Sequence, residues 1–325
     1  MSNAIPLAAL KEIPFLKPDL EPRQPIVSLS FFVENEWHCW LPHGDKLVKM
    51  KMWPAESTYF GDKPELDSDQ DFALLNLMAQ RTFSGEMHRC YRAIFNDFQG
   101  LSASLAKMRM FFENRDNKDY GVSRLVQSEI ENLAILCRSV FDLLQEIVKY
   151  HVARMSVIDG PTPKKLPNSF REVVYKSDRD QSASEIATRY SLPMPIAEWY
   201  ERHRDFFMRV RSIRDGIVHR GNSIDTVFST EHGFAVSRKN DPFRGIYNWP
   251  DDCELPNSLV PMRPALATMV WKTISATNDF AETLESNVHM QSDLAPKLRL
   301  YARGTNDREF VGIEEVIENS LWDGI

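Results

Sequence analysis

Paired cysteines, long apolar runs and a strong positive charge are all missing from this sequence, and each absence argues against a class of protein. The four cysteines are scattered and form no CxxC pair, so neither a disulfide framework nor a cysteine zinc site is indicated. No run approaches the ~20 apolar residues of a membrane span, and the N-terminal residues lack the basic start of a signal peptide. We therefore expect a cytoplasmic protein that makes no contact with membranes.

The charge balance limits how the chain can bind nucleic acid. It has 39 basic and 46 acidic residues, a formal net charge of −7, which argues against a protein that coats nucleic acid through its overall charge. The sequence also contains no GxxxxGK(S/T), GxGxxG, GxSxG or HExxH motif. Nucleotide hydrolysis, dinucleotide binding and the common hydrolase mechanisms are therefore disfavoured, and any contact with RNA must be local.

Proline content, a polar stretch and apolar periodicity divide the 325 residues. Five prolines predict an extended arm at the N-terminus, and the segments IVSLSFFV and EWHCWL predict a small β element after it. The polar stretch NRDNKDYG indicates a boundary before Val122. The predicted regions are an arm over 1–24, an α+β region of unknown role over 25–120, a helical domain over 121–292 and a C-terminal extension over 293–325.

Apolar residues at helical spacing predict long helices in the second half of the chain. The segment from Ser123 to Met155 holds no proline or glycine, and a second helix is expected from about Ile196 to the Gly221 stop. The two are expected to pack antiparallel, with a hairpin over 226–236 and a last helix over 265–289. The aromatic stripe containing Trp199 and Phe207 is read as core.

The end of the second helix carries the residues best suited to chemistry. In VRSIRDGIVHRGN, four residues separate Arg214 from His219. Arg214 has a permanent charge and a forked donor set that suits phosphate, and His219 can transfer a proton near neutral pH. Asp215 lies one helical turn before His219 and could orient the imidazole. Because the 2′-hydroxyl of RNA is itself a nucleophile, this pair needs no metal or cofactor to promote cleavage.

This segment resembles the Arg-polar-x-x-x-His motif of HEPN domains, with RDGIVH at 214–219. The resemblance covers about 123–287 and implies an antiparallel helical bundle. Together with the strand patterns of the sequence, it leads us to expect a mainly α fold, in which a small β element lies near the N-terminus and a β-hairpin is inserted after the motif helix. It also implies a metal-independent endoribonuclease in stress response or anti-phage defence. HEPN proteins of this kind commonly form homodimers that join two motifs in one cleft, and a toxin–antitoxin arrangement would add an antitoxin or another protein partner. The tyrosine usually modified in related toxins is absent, because its position holds Gly221.

Further arginines surround the motif on the same helix. Arg209, Arg211 and Arg220 are candidates for binding the RNA backbone. Arg211 lies one turn before Asp215 and can share that carboxylate. The sequence therefore predicts a basic island on an acidic protein.

Other readings remain open for the same residues. His219 in a last helical turn is also explained by bonding to free carbonyls and by the helix dipole, which would make the chain a non-catalytic dimerisation and ligand- or partner-binding module. A third reading places the function in the first 120 residues. Ligand-capable side chains there match no zinc spacing and are read as packing; they are His38, Cys39, His43, His88 and Cys90. Tyr247 and Trp249 are weak candidates for stacking on bases.

Overall fold

The structure is a computed structural model. It describes residues 7–20, 26–81, 84–116, 121–154, 162–220, 226–239 and 242–323. Within these ranges, the side chains of residues 7 and 216–220 are not described. The chain divides into two compact units. The sheet unit comprises Met1–Asn96 and Phe280–Arg308, and the helix unit comprises Asp97–Asp279 and Glu309–Ile325. The boundaries predicted at 120/121 and 292/293 each lie inside one of these units.

A five-stranded mixed sheet forms the centre of the sheet unit, and its strands are β1 (Ser30–Val33), β2 (Glu36–His43), β3 (Lys46–Met50), β4 (Ser57–Gly61) and β10 (Arg299–Arg303). Their order in the sheet is β10-β4-β1-β2-β3. Strands β1 and β4 are parallel, and the other neighbours are antiparallel. The strand pair expected from IVSLSFFV and EWHCWL is confirmed as β1 and β2. The helices of this unit include α1 (Leu7–Leu10), α2 (Ala73–Arg81) and the start of α3 (Gly85–Glu113).

A buried ion network ties β10 to the rest of the sheet unit. The Arg303 Nη2 and Nε atoms lie 2.6 and 2.9 Å from the two carboxylate oxygens of Asp69, and Arg303 also binds Glu65. The hydroxyl of Tyr59 donates to Asp69 over 2.7 Å. Burial alone would raise the pKa of Asp69, but the hydrogen bonds from Arg303 and Tyr59 lower it below its ordinary value. Arg303 therefore compensates a carboxylate with almost no solvent contact.

Long helices build the helix unit, which also takes part of α3. The elements that follow α3 in the chain are α4 (Val122–Val152), α5 (Phe170–Val174), β5 (Tyr175–Lys176), β6 (Arg179–Asp180), α6 (Ala183–Tyr190), α7 (Met194–Arg220), β7 (Phe228–Ser229), β8 (Phe234–Ser237), β9 (Leu259–Pro261), α8 (Arg263–Asn287) and α9 (Ile313–Glu318). The helices predicted from Ser123, from Ile196 and from Ala265 are confirmed as α4, α7 and α8, and the hairpin over 226–236 is confirmed as β7 and β8.

The aromatic core of the helix unit sets the alignment of α4 and α7. Tyr200 on α7 donates to Gln145 on α4 over 2.6 Å, and further along α7 the ring of Phe207 lies 5.4 Å from that of Phe141. Contacts that advance along α7 thus move backwards along α4, so the two helices are antiparallel, as predicted. Trp199 and Phe207 are buried, which confirms the aromatic stripe as core. Burying each such side chain contributes about 1.5–3 kcal/mol.

The prediction of a mainly α bundle is wrong. About 51% of the chain is helix and 15% strand, and a five-stranded mixed sheet is present with two smaller sheets, which makes the fold α/β. The error has a physical cause. Strand β10 lies far along the chain from its partner β4, with which it pairs from Arg299↔Gly61 to Arg303↔Ser57. Local periodicity carries no information on such pairings.

None of the helices that the structure describes combines sufficient length with sufficient apolar character to cross a membrane.

Candidate functional site

Three arginines from two helices converge on the carboxylate of Asp215. One Asp215 oxygen lies 3.2 Å from Arg138 Nη1 and 3.1 Å from Arg214 Nη1, and the other lies 3.0 Å from Arg211 Nε. The side chains of the three arginines are 20–30% exposed. This arginine cluster, Arg138, Arg211 and Arg214 around Asp215, is therefore reachable from solvent.

The cluster follows from the packing of α4 on α7. Phe141 and Phe207 fix the two helices side by side. One turn beyond Phe207 on α7 comes Arg211, and Asp215 follows one turn later, so both lie on the side that faces α4. Arg138 lies one turn before Phe141 on the antiparallel α4 and meets Asp215 there. The prediction that Arg211 shares Asp215 is confirmed.

Asp142 is a second carboxylate beside the arginines. Its Oδ2 atom lies 3.6 Å from Arg138 Nε, an atom that is buried and makes no hydrogen bond with the residues described. Glu146 lies one turn further along α4. Asp142 is therefore the carboxylate that faces this buried donor of Arg138.

The two carboxylates respond to this environment in opposite directions. Partial burial opposes the ionisation of Asp215, but the hydrogen bond from Arg214 and the charges of Arg211 and Arg138 outweigh it and lower its pKa. For Asp142, burial is the larger effect and raises the pKa despite the same three arginines, with a small addition from Glu146. Asp215 is therefore held ionised, while Asp142 is shifted towards accepting a proton.

Sequence reasoning missed Arg138 and Asp142. They lie 77 and 73 residues before Asp215 in the chain. The pattern of their helix predicted only its apolar packing face. The spacing of Arg138 and Asp142, an i, i+4 pair of opposite charge, could have indicated an ion pair on this helix. Such pairs are common on exposed helix faces, so the spacing alone does not indicate a functional site.

The other predicted site residues lie elsewhere or outside the described side chains. The side chains of His219 and Arg220 lie outside the described residues, so the proposed contact of Asp215 with His219 stays a prediction. Arg209 packs against a loop: a Cβ atom on Gly245, whose φ is +80°, would come within 2.8 Å of Arg209 Nε. Arg209 therefore contacts another part of the helix unit than the arginine cluster does.

The two aromatic candidates for base stacking differ in burial. Trp249 is buried and donates to the carbonyl of Pro261 over 2.7 Å. The hydroxyl of Tyr247 donates to the carbonyl of Ile317 over 2.7 Å. The prediction that Trp249 stacks on bases is wrong, because its ring is buried. Tyr247 is partly exposed, so its stacking on bases stays a prediction.

The ligand-capable residues of the N-terminal region do not form a metal site in the part of the chain that the structure describes, where no group of three or more His, Cys, Asp or Glu side chains is suitably placed. His38 instead lies 2.8 Å from Lys49 Nζ, and Cys39 is buried and donates to the carbonyl of Met52.

Comparison with known proteins adds no further constraint on this site. No family model, curated protein or solved structure matches the chain.

Proposed function

We propose that the chain is a metal-independent endoribonuclease, in which the arginine cluster binds the RNA phosphate and His219 transfers a proton. The observation that supports it is the convergence of Arg138, Arg211 and Arg214 on the single carboxylate of Asp215. Guanidinium groups recognise phosphate by the same forked geometry with which they bind a carboxylate. Asp215 then occupies the place that a phosphate oxygen would take.

The reaction needs little beyond these groups. The 2′-oxygen of one nucleotide attacks the adjacent phosphorus, the bond to the 5′-oxygen of the next nucleotide breaks, and the products carry a 2′,3′-cyclic phosphate and a 5′-hydroxyl. One group must take the proton of the 2′-hydroxyl, and one must give a proton to the leaving oxygen. His219 takes one of these roles, and the arginines stabilise the charge on phosphorus-bound oxygens in the transition state.

Two arrangements supply the second proton-transfer group. In a homodimer, which the HEPN resemblance implies, a second His219 would serve. Asp142 is the alternative within one chain, because its pKa is raised and it lies beside Arg138. An Asp142→Asn substitution separates the two arrangements, since it impairs cleavage only in the second.

One observation favours the non-catalytic reading as a second candidate. Both oxygens of Asp215 already bind arginines, so the same residues can act as a network that joins α4 to α7. In that case the surface would bind an anionic ligand or a protein partner without chemistry.

The decisive experiment is cleavage of a mixed RNA pool in EDTA, with the product ends analysed. We expect wild-type protein to leave 2′,3′-cyclic phosphates, and His219→Ala to cleave about 10²- to 10⁴-fold more slowly. Arg214→Ala and Arg138→Ala should also lose activity while remaining folded.

A matched control removes the same charge from the same helix. Arg202 on α7 is exposed and binds Asp279 over 3.1 Å, so Arg202→Ala should cleave like wild type. Cleavage that survives His219→Ala, or that falls equally in Arg202→Ala, would contradict the assignment.

A further inference from the structure

Strand β3 forms one edge of the five-stranded sheet; helix α1 contacts it, and no strand pairs with its outer side among the residues described. The backbone of Trp40 in β2 donates to Leu29 and therefore points towards β1. Since hydrogen-bonding directions alternate along a strand, Cys39 and Leu41 of β2 point towards β3 and bond with their partners Met50 and Val48. On β3, the N–H and C=O groups of Leu47 and Lys49 then point outwards.

The two faces of β3 differ in chemistry. Val48 and Met50 are on one face, each about 40% exposed, and the exposed Met52 continues the row. Lys49 and Lys51 alternate with them and belong to the opposite face. Isolated exposed apolar residues are ordinary, but a contiguous row of them beside an open strand edge indicates a binding surface.

A groove of about 810 Å³ lies where β3 ends, and it is lined by residues 49–53 and by the first two residues of β2. Trp37 and Trp53 line it together with Met50 and Met52, and its charged lining residues are two lysines, Lys49 and Lys51, against one glutamate, Glu36. Trp53 is 65% exposed. Lys49 is held in place, because its Nζ atom lies 2.8 Å from His38 Nδ1 and 5.5 Å from the centre of the Trp40 ring.

We propose that β3 binds an extended peptide of a partner protein as a sixth strand, and that this peptide alternates acidic with apolar residues. Its backbone would pair with the outward groups of Leu47 and Lys49. Its apolar side chains would contact the row from Val48 to Met52, and its carboxylates would face Lys49 and Lys51, as the two-residue period of a strand requires.

The charges argue against a second copy of this strand as the occupant. If β3 paired antiparallel with itself about Val48, Lys46 of one copy would face Met50 of the other and Lys49 would face Leu47, so neither lysine would meet a carboxylate. RNA is also disfavoured, because an outward row of backbone donors and acceptors matches another strand and no nucleotide pattern. This inference does not depend on the endoribonuclease proposal.

Binding can be measured on the full chain by the fluorescence of Trp53, with Trp53→Phe identifying its share of the signal. The probe is an acetylated heptapeptide of alternating glutamate and valine, compared with a lysine–valine peptide and with a peptide of the same composition in blocks. We expect the glutamate–valine peptide alone to bind, and Lys49→Glu to weaken it by about tenfold.

Two variants isolate the backbone contribution. Lys49→Pro removes an N–H group that is not used within the sheet and should weaken the peptide about tenfold, whereas Lys49→Ala, which keeps that group, should weaken it less. Two N-methylated peptides test the same point without altering the protein, one methylated on its odd-numbered residues and one on its even-numbered residues. Since only every second N–H group of a strand points towards its neighbour, one of the two peptides should not bind and the other should bind like the unmethylated peptide.

The proposal is overturned by any of three results. These are equal binding of the block and alternating peptides, equal effects of the two methylation frames, and competition of a single-stranded RNA oligonucleotide for the groove more strongly than the peptide. Formation of dimers that Lys49→Pro abolishes would also overturn it, because a second copy would then be the occupant.

Discussion

The ion network around Arg303 and the arginine cluster around Asp215 differ in burial and in the ratio of arginines to carboxylates. In the sheet unit, Arg303 and Asp69 have side-chain exposures of 5% and 1%, and one arginine serves two carboxylates. In the helix unit, three arginines share Asp215, with exposures of 20–30%. The same residue types therefore form a closed network in one unit and an open one in the other.

This difference indicates different roles. Loss of the cationic partner of a buried carboxylate costs a large part of the free energy of unfolding, so the role of Arg303 is to stabilise the fold. The arginine cluster has more guanidinium groups than Asp215 can saturate, and water reaches it. It can therefore exchange part of its bonding to Asp215 for bonding to a phosphate.

Removal of one arginine from each grouping should give the largest contrast in stability. Arg303→Met leaves Asp69 buried without its cation and should lower the free energy of unfolding by about 3–5 kcal/mol. Arg214→Met should lower it by about 0–1 kcal/mol. Urea denaturation followed by circular dichroism measures both, and equal losses would remove the distinction between the two groupings.

Acid should destabilise the ion network around Arg303 more than the arginine cluster. The pKa of Asp69 is lowered in the folded chain, so its stabilising contribution is present above its ordinary pKa of about 3.9 and is lost as the pH falls through the folded value. Asp215 has a pKa lowered in the same direction but is more exposed. We expect the free energy of unfolding, measured between about pH 3 and pH 7, to depend less on pH in Asp69→Asn than in Asp215→Asn. The reverse order would show that solvent does not screen the cluster.

Neutralising Asp215 should improve binding of RNA, since Asp215 competes with phosphate for the arginines. We expect Asp215→Asn to tighten the binding of an RNA oligonucleotide by about 3- to 10-fold. The control is Asp205→Asn on the same helix, which makes the same charge change where Asp205 binds Arg204. If both variants bound RNA more tightly by the same factor, the effect would come from net charge and not from competition between Asp215 and phosphate.

Much of the helix unit could be predicted from the sequence. Helix α4 has no internal proline or glycine and a continuous apolar stripe, and the stripe of α7 contains Trp199 and Phe207, so length and packing face followed from local pattern. Within the five-stranded sheet, only the pair β1 and β2 was predictable, because these two strands are adjacent in sequence. β10 pairs with β4 across more than 200 residues, and no local signal specifies that pairing.

The candidate site was predictable on one helix only. Arg211, Arg214 and Asp215 are close in sequence, and their spacing brings them together on α7. Arg138 reaches Asp215 because Phe141 packs against Phe207, and this tertiary contact has no counterpart in local sequence. The same limitation explains the error on Trp249, whose partner Pro261 lies beyond its own loop.

Fluorescence anisotropy of a labelled RNA oligonucleotide with Arg138→Ala and Arg202→Ala tests most directly whether the arginine cluster binds phosphate. At about 50 mM salt, where phosphate contacts are strongest, Arg138→Ala should weaken binding about tenfold and Arg202→Ala should leave it unchanged. Equal affinities for the two variants, or a larger loss in Arg202→Ala, would contradict the account.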